Sequence, residues 1–77
     1  METEQVVLQI VSEVLKLNMS EVTPEVEIGD LPGWDSIHHL TILCRLEDTF
    51  GVKFNQADLA DCETVADLVD LIKEMSA

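Results

Sequence analysis

Three stretches of the chain space their apolar residues at intervals of three and four, which places them on one face of an α-helix. The first stretch, residues 3–17, carries Val7, Ile10, Val11, Val14 and Leu15. The second carries Ile37, Leu40, Leu43, Leu46 and Phe50, with Ile42 and Cys44 on the flanks. The third carries Val65, Leu68, Val69 and Ile72. No segment shows a convincing strand pattern. The sequence therefore predicts an all-α fold, a small bundle of three main helices plus one short helix.

Residues that favour helix ends mark the limits of the first two helices. We predict Thr3 as the N-cap of a helix that runs to Leu17, with Asn18 as its stop signal. Asp35 is predicted to cap the second helix, because its carboxylate can accept a hydrogen bond from a first-turn N–H group. Gly51 is predicted to end that helix, since glycine adopts the left-handed conformation at little cost.

The C-terminal third is predicted to hold the short helix and the last main helix. The short helix begins at Asn55 or Gln56 and ends at Ala60. Thr64 and Asp67 have the spacing of a capping box, which predicts the start of the last helix.

The segment between the first two helices, residues 18–34, has no sustained period. Connections this long are unusual in a small domain and tend to be functional or anchored. The apolar residues that can anchor it to the core are Val22, Val26, Ile28 and Leu31. Pro32-Gly33 predicts a turn directly before the second helix.

Sixteen acidic residues oppose four basic ones, which gives the chain a formal net charge of −12. This balance argues against nucleic acid as a partner, because phosphate binding requires concentrated Lys and Arg. An anionic membrane surface would also repel the chain, whereas a basic protein partner would complement it. No apolar run is long enough to cross a bilayer, and the N-terminus is acidic. We expect a single domain, residues 1–77, that is soluble, cytoplasmic and monomeric.

The cysteines and histidines do not have metal-site spacing. Cys44 and Cys62 lie outside any CxxC pair, so they are predicted to be reduced, buried thiols. His38 and His39 diverge by about 100° on a helix and cannot easily share one ion. We therefore predict no metal site.

Ser36 lies close to an aspartate and two histidines, so a catalytic role is the first alternative for it. A hydrolase would pair Ser36 with His39 and hold that ring with a carboxylate. However, Asp35 and Ser36 point in different directions at a helix start, and the G-x-S-x-G elbow is missing. The plainer alternative is an acidic helical interaction module in which Ser36 is an unmodified first-turn residue. We predict no catalytic residue.

The segment Gly33-Trp34-Asp35-Ser36-Ile37, followed by Leu46-Glu47-Asp48-Thr49-Phe50-Gly51 at the end of the same helix, resembles the acyl carrier protein family. That family has Gly-x-Asp-Ser-Leu at the start of its second helix and an ending similar to Leu-Glu-x-x-Phe. The resemblance covers nearly the whole chain. It extends to the length, the acidity, the long first loop and an extended link at residues 52–54.

The resemblance implies that Ser36 carries 4′-phosphopantetheine through a phosphodiester, installed from coenzyme A by a phosphopantetheinyl transferase. The chain would then not be an enzyme. It would carry acyl groups as thioesters on the arm's thiol, and its own cysteines would need no reactivity. The family can fold its acyl chain between the helices, and the residues expected to line such a cavity are Leu46, Phe50, Phe54, Leu59, Cys62 and Leu68. With two phenylalanines among them, we expect weak sequestration of long chains.

The second helix is less acidic than is typical of fatty-acid carriers. Its expected partner-binding residues are Trp34, Asp35, Ile37, His38, Thr41, Arg45, Glu47 and Asp48. Either the changed residues fit a different set of acyl-loading, condensing or acyl-transfer enzymes, with Trp34 as an apolar anchor, or they are drift on a solvated face with Trp34 packed on the loop. The sequence allows fatty-acid, polyketide and other specialised acyl synthesis, and the altered face of the second helix slightly favours a specialised pathway. An aminoacyl or peptidyl carrier is the alternative within the family.

Overall fold

The computed structural model describes residues 2–76, so Met1 and Ala77, the two ends of the predicted domain, lie outside the described residues. The elements in chain order are α1 (Thr3–Leu15), a 3₁₀-helix (Met19–Glu21), α2 (Ser36–Phe50), α3 (Gln56–Ala60) and α4 (Val65–Ser76). Helix α1 packs against both α2 and α4. Residues 2–76 form no strand beyond an isolated bridge between Glu27 and Thr64. The predicted all-α fold is confirmed.

Helix α1 ends earlier than predicted. Its last residue is Leu15, and Lys16 adopts the left-handed conformation with φ 59°. The Leu17 N–H donates to the Ser12 carbonyl at 2.9 Å, which closes the helix with a Schellman-type bond. Leu17 packs against the core. The predicted stop at Asn18 is therefore wrong, because the chain turns at Lys16 and this turn packs Leu17 against the core.

The predicted cap at the start of α1 is also wrong. Thr3 is the first helical residue, and Glu2 occupies the N-cap position without a side-chain cap bond. Asn18 has a different use, since it caps the 3₁₀-helix and its backbone N–H donates to the Glu21 carboxylate at 3.1 Å.

The predicted ends of the other helices are present. The Asp35 carboxylate accepts the His38 N–H at 2.9 Å at the start of α2, and Gly51 ends that helix with φ 67°. At the start of α4 the Thr64 N–H donates to the Asp67 carboxylate at 3.1 Å, and the Thr64 hydroxyl accepts the Asp67 N–H at 3.3 Å. These reciprocal bonds form a capping box.

The core faces of α1 and α4 are as predicted, but the face of α2 is not. Ile42, Leu43 and Leu46 are buried, whereas Ile37 is 73% exposed and Leu40 is 61% exposed. Cys44 is also exposed, contrary to the prediction of a buried thiol. The side chain that fills the core near the start of α2 is Trp34, which leaves the first turns of the helix free to face outward.

The loop between α1 and α2 is anchored to the core and to the start of α4. Val22 is buried, and Val26, Ile28 and Leu31 pack against the core, as the sequence predicts. The Ile28 N–H donates to the Glu63 carbonyl at 2.9 Å, and the Val26 carbonyl accepts the Val65 N–H at 3.0 Å. This anchoring fixes the loop beside the N-terminus of α2. None of the helices in residues 2–76 is both long and apolar enough to cross a membrane.

Candidate functional site

A tight turn places Ser36 at the exposed start of α2. Gly33 adopts φ 81°, which favours glycine, and the Trp34 N–H donates to the Leu31 carbonyl at 3.1 Å. Asp35 then caps the helix, and Ser36 is its first residue. The side chain of Ser36 is exposed and lies at the positive end of a fifteen-residue helix. This position favours an attached phosphate group.

Asp35 is engaged with His38 rather than with His39. Its Oδ1 atom accepts the His38 N–H at 2.9 Å and lies 2.8 Å from the His38 Nδ1 atom. The backbone hydrogen bond from His38, followed by the side-chain bond, lowers the pKa of Asp35. The carboxylate, the imidazole and Ser36 therefore do not form the relay that a hydrolase would need.

Trp34 is 6% exposed and belongs to the hydrophobic core. Its indole N–H donates to the Nδ1 atom of His39 at 3.1 Å. This position corresponds to the alternative in which Trp34 packs on the loop. The ring nitrogen of His39 that faces Trp34 is thus an acceptor, and burial lowers the pKa of this imidazole.

An open groove with a volume of about 350 Å³ adjoins the serine. It is lined by Ile28, Gly29, Trp34, Asp35, Ser36 and His39. The anchored loop supplies one wall and the first turn of α2 supplies the other. The groove gives a group attached to the Ser36 hydroxyl a surface to lie against.

Some of the remaining residues predicted to bind partners form bonds within the chain, and others are exposed. Arg45 pairs with Glu13 of α1 at 3.1 Å, and the Glu47 carboxylate accepts the Phe54 N–H at 2.8 Å. Thr41, Ile37 and Asp48 are exposed. Of these, Thr41 donates its hydroxyl to the Ile37 carbonyl at 3.0 Å.

Two exposed residues on the same side of α2, Leu40 and Cys44, were missed as surface residues. Their apolar character and helical spacing from Ile37 assigned them to the core face or its flank. The signal that indicates an exposed position for them is the run of Ile42, Leu43 and Leu46, which gives the same helix a second apolar face that can turn to the core.

The residues predicted to line an acyl cavity differ in burial. Leu46 and Leu68 are fully buried, and Phe50 and Phe54 are half-buried against the core. Leu59 and Cys62 are also half-buried. The Cys62 thiol is 3.6 Å from the Asp58 carbonyl, and burial, followed by nearby aspartates, raises its pKa. The acyl cavity itself stays a prediction.

The Trp34–His39 bond predicts a pH dependence of stability. Burial of the ring lowers the pKa of His39 below the value of about 6.5 that it has in the unfolded chain. The protonated ring also carries a hydrogen on Nδ1 and cannot accept from Trp34. The unfolded chain therefore binds this proton more readily. The stability that neutral His39 contributes is complete above about pH 6.5 and is lost as the pH falls through 6.5 toward the folded pKa.

Urea unfolding between pH 7.5 and 5 measures this effect. We expect His39→Gln to show a smaller loss of stability across that interval than the unchanged chain. The groove carboxylate Asp35 and the capping Asp67 have lowered pKa values, so their contributions are lost only below about pH 4. Equal losses in the two proteins between pH 7.5 and 5 would contradict the prediction.

The arrangement fits a covalently attached phosphopantetheine group, because it combines an exposed hydroxyl, a helix N-terminus and an adjoining groove. A family model described as phosphopantetheine attachment site matches residues 5–72. The chain belongs to the acyl carrier protein family. Like that family, this carrier bears a covalently attached 4′-phosphopantetheine arm.

Curated relatives and a solved structure agree with this assignment. The carrier is 38% identical to an acyl carrier protein of Thermotoga maritima over 88% of this chain and 84% of that protein. It is 36% identical to the meromycolate extension acyl carrier protein of Mycobacterium leprae over 90% of this chain, and it spans 60% of the length of that relative. The solution structure of a holo acyl carrier protein from Geobacter metallireducens matches with a TM-score of 0.84 and 28% identity, over 97% of this chain and 86% of that one.

Proposed function

We propose that Ser36 is the attachment residue and that this carrier presents acyl groups, held as thioesters on its arm, to a series of partner enzymes. The observation that supports this most is the exposed Ser36 hydroxyl at the N-terminus of α2, within the span that the attachment-site model matches. In the loading reaction the hydroxyl oxygen bonds to the phosphorus next to pantetheine in coenzyme A. The diphosphate P–O bond breaks, adenosine 3′,5′-bisphosphate leaves, and the transferase removes the hydroxyl proton.

The residues around Ser36 support loading without catalysing it. Asp35 holds the first turn of α2, and the Arg45–Glu13 pair joins that helix to α1. The arm, when attached, supplies the thiol that holds the acyl group. Tethering raises the effective concentration of that group at each docked enzyme. The carrier therefore positions the acyl group, and the partner enzymes catalyse its reactions.

The exposed side of α2 is the proposed surface for the transferase and for acyl-loading, condensing and acyl-transfer enzymes. We call it the docking face and define it by Ile37, Leu40, Thr41, Cys44 and Asp48. It presents apolar side chains next to the attachment residue on a chain with a net charge of −12. A partner with a small apolar patch bordered by Lys and Arg would complement it. Trp34, Arg45 and Glu47 form hydrogen bonds or an ion pair within the chain, so we do not include them in the docking face.

The pathway we propose is the extension of acyl chains in fatty-acid, polyketide or other specialised lipid synthesis. The name of the Mycobacterium leprae relative, a meromycolate extension carrier, supports an extension pathway. The docking face carries exposed Ile37 and Leu40, and the His38 imidazole lies beside it. These apolar and imidazole side chains support a partner set different from that of an acidic fatty-acid carrier.

Intact mass spectrometry after incubation with coenzyme A and a broad-specificity phosphopantetheinyl transferase tests the attachment residue. We expect the mass to increase by one phosphopantetheinyl group and Ser36→Ala to show no increase. Ser20 is an exposed serine outside the site, so Ser20→Ala is the matched control and should load fully. Loading of Ser36→Ala would move the attachment to another residue. No loading of the unchanged chain would favour the acidic interaction module.

A further inference from the structure

The Trp34–His39 pair forms a polar contact inside an otherwise apolar part of the molecule. Trp34 is buried among core residues, yet its indole N–H has an acceptor in the His39 Nδ1 atom at 3.1 Å. Both side chains also line the groove that Ser36 adjoins. The pair therefore links the core to the surface on which an attached arm begins.

The hydrogen bond fixes the protonation pattern of the imidazole. A neutral imidazole carries one N–H, and a ring nitrogen that accepts cannot carry it. Because Nδ1 accepts from Trp34, the proton of neutral His39 is on Nε2. The ring thus keeps an N–H donor for a second partner, and that partner must be an acceptor.

We propose that the groove binds the first part of the arm, with the His39 Nε2–H group donating to a phosphodiester oxygen and the apolar wall receiving the dimethyl group next to the phosphate. This proposal rests on attachment at Ser36. His39 follows Ser36 by three residues, a spacing that places both side chains on the same side of a helix. The apolar wall consists of Trp34 from the turn and Ile28 from the anchored loop.

The charges around the groove are compatible with a phosphodiester. Asp35 also lines the groove, but its Oδ1 atom lies 2.8 Å from the His38 ring nitrogen and accepts the His38 backbone N–H. These bonds offset part of its repulsion of a second anion. The N-terminus of α2 adds a positive potential at the same place. The first segment of the arm is thereby held against the protein, and the distal thiol is left to reach partner enzymes.

NMR on the unloaded and loaded carrier tests this proposal after mass spectrometry has established loading at Ser36. We expect nuclear Overhauser contacts between the dimethyl group of the arm and the Trp34 indole and Ile28 methyl protons. We also expect the pKa of His39 to rise by at least about 0.5 on loading, because the phosphodiester favours the charged ring.

Two variants separate a specific contact from a general effect of loading. His39→Phe keeps an aromatic ring without a donor, and we expect it to load while its contacts from the dimethyl group weaken. Thr49→Ala changes an exposed residue of α2 that lies outside both the groove and the docking face, so it should load and leave those contacts unchanged. A loaded carrier whose dimethyl group contacts Leu46 and Cys62 instead, or whose His39 titrates as in the unloaded form, would overturn the groove assignment. Failure to load at Ser36 would instead overturn the proposed function.

Discussion

Leu46→Ala is expected to lower the free energy of unfolding by about 2–5 kcal/mol, because the substitution removes a fully buried side chain and leaves a cavity. Leu40→Ala removes the same atoms from the same helix, but Leu40 is 61% exposed. We expect that change to lie within about 0.5 kcal/mol. The pair compares burial alone, since both substitutions replace leucine by alanine within α2.

Urea unfolding followed by far-ultraviolet circular dichroism measures both variants. A domain of this length has a total stability on the order of 4–12 kcal/mol, so Leu46→Ala can leave part of the population unfolded. Leu46→Met keeps most of the volume and should cost less than about 1.5 kcal/mol, which keeps the comparison measurable. A larger loss for Leu40→Ala than for Leu46→Met would show that the exposed face of α2 had been assigned to the wrong side.

The error in the predicted face of α2 has a physical origin. Apolar residues follow helical spacing on two sides of this helix, and spacing alone does not say which side faces the core. The core side is decided by α1 and by Trp34, whose ring fills the space near the first turn. Ile37 and Leu40 are therefore left for the surface. In α4, which has a single apolar face, the spacing of the apolar residues is sufficient to predict the buried side.

Local signals predict the start of α2 well, because they act over a few residues. The Pro32-Gly33 turn, the Asp35 cap and the exposed Ser36 all depend on backbone conformation and bonds within one turn of helix. The Thr64 capping box was predictable for the same reason. In contrast, the start of α1 was misplaced because Thr3 makes no cap bond there.

Contacts that depend on tertiary packing were not predictable from the sequence. Arg45 and Glu13 are 32 residues apart and meet only because α1 and α2 pack together. The bond between Trp34 and His39 requires the indole to be buried under the anchored loop, and no local pattern specifies that. The sequence therefore offers His39 only as a hydrolase or metal candidate, whereas in the fold its Nδ1 atom accepts the bond from Trp34.

Trp34→Ala is expected to lower the free energy of unfolding by about 3–5 kcal/mol. The indole is 6% exposed in the core, so its removal leaves a large cavity, and the His39 Nδ1 atom loses its donor. Trp34→Phe keeps a ring and loses mainly the hydrogen bond and some volume. We expect that variant to lose about 1–2 kcal/mol. Both effects arise because the only tryptophan of the chain joins the loop, the core and the site.

Circular dichroism rather than fluorescence must follow these unfolding curves, since both variants lack the single tryptophan. Ile37→Ala provides the control, because Ile37 is an apolar neighbour that is 73% exposed and should change stability by less than about 0.5 kcal/mol. Trp34→Phe should also retain less of the pH dependence between 7.5 and 5, because His39 can then be protonated on Nδ1 without opposing a donor. If Trp34→Ala were as stable as Ile37→Ala, Trp34 would be a surface anchor for partners and not a member of the core.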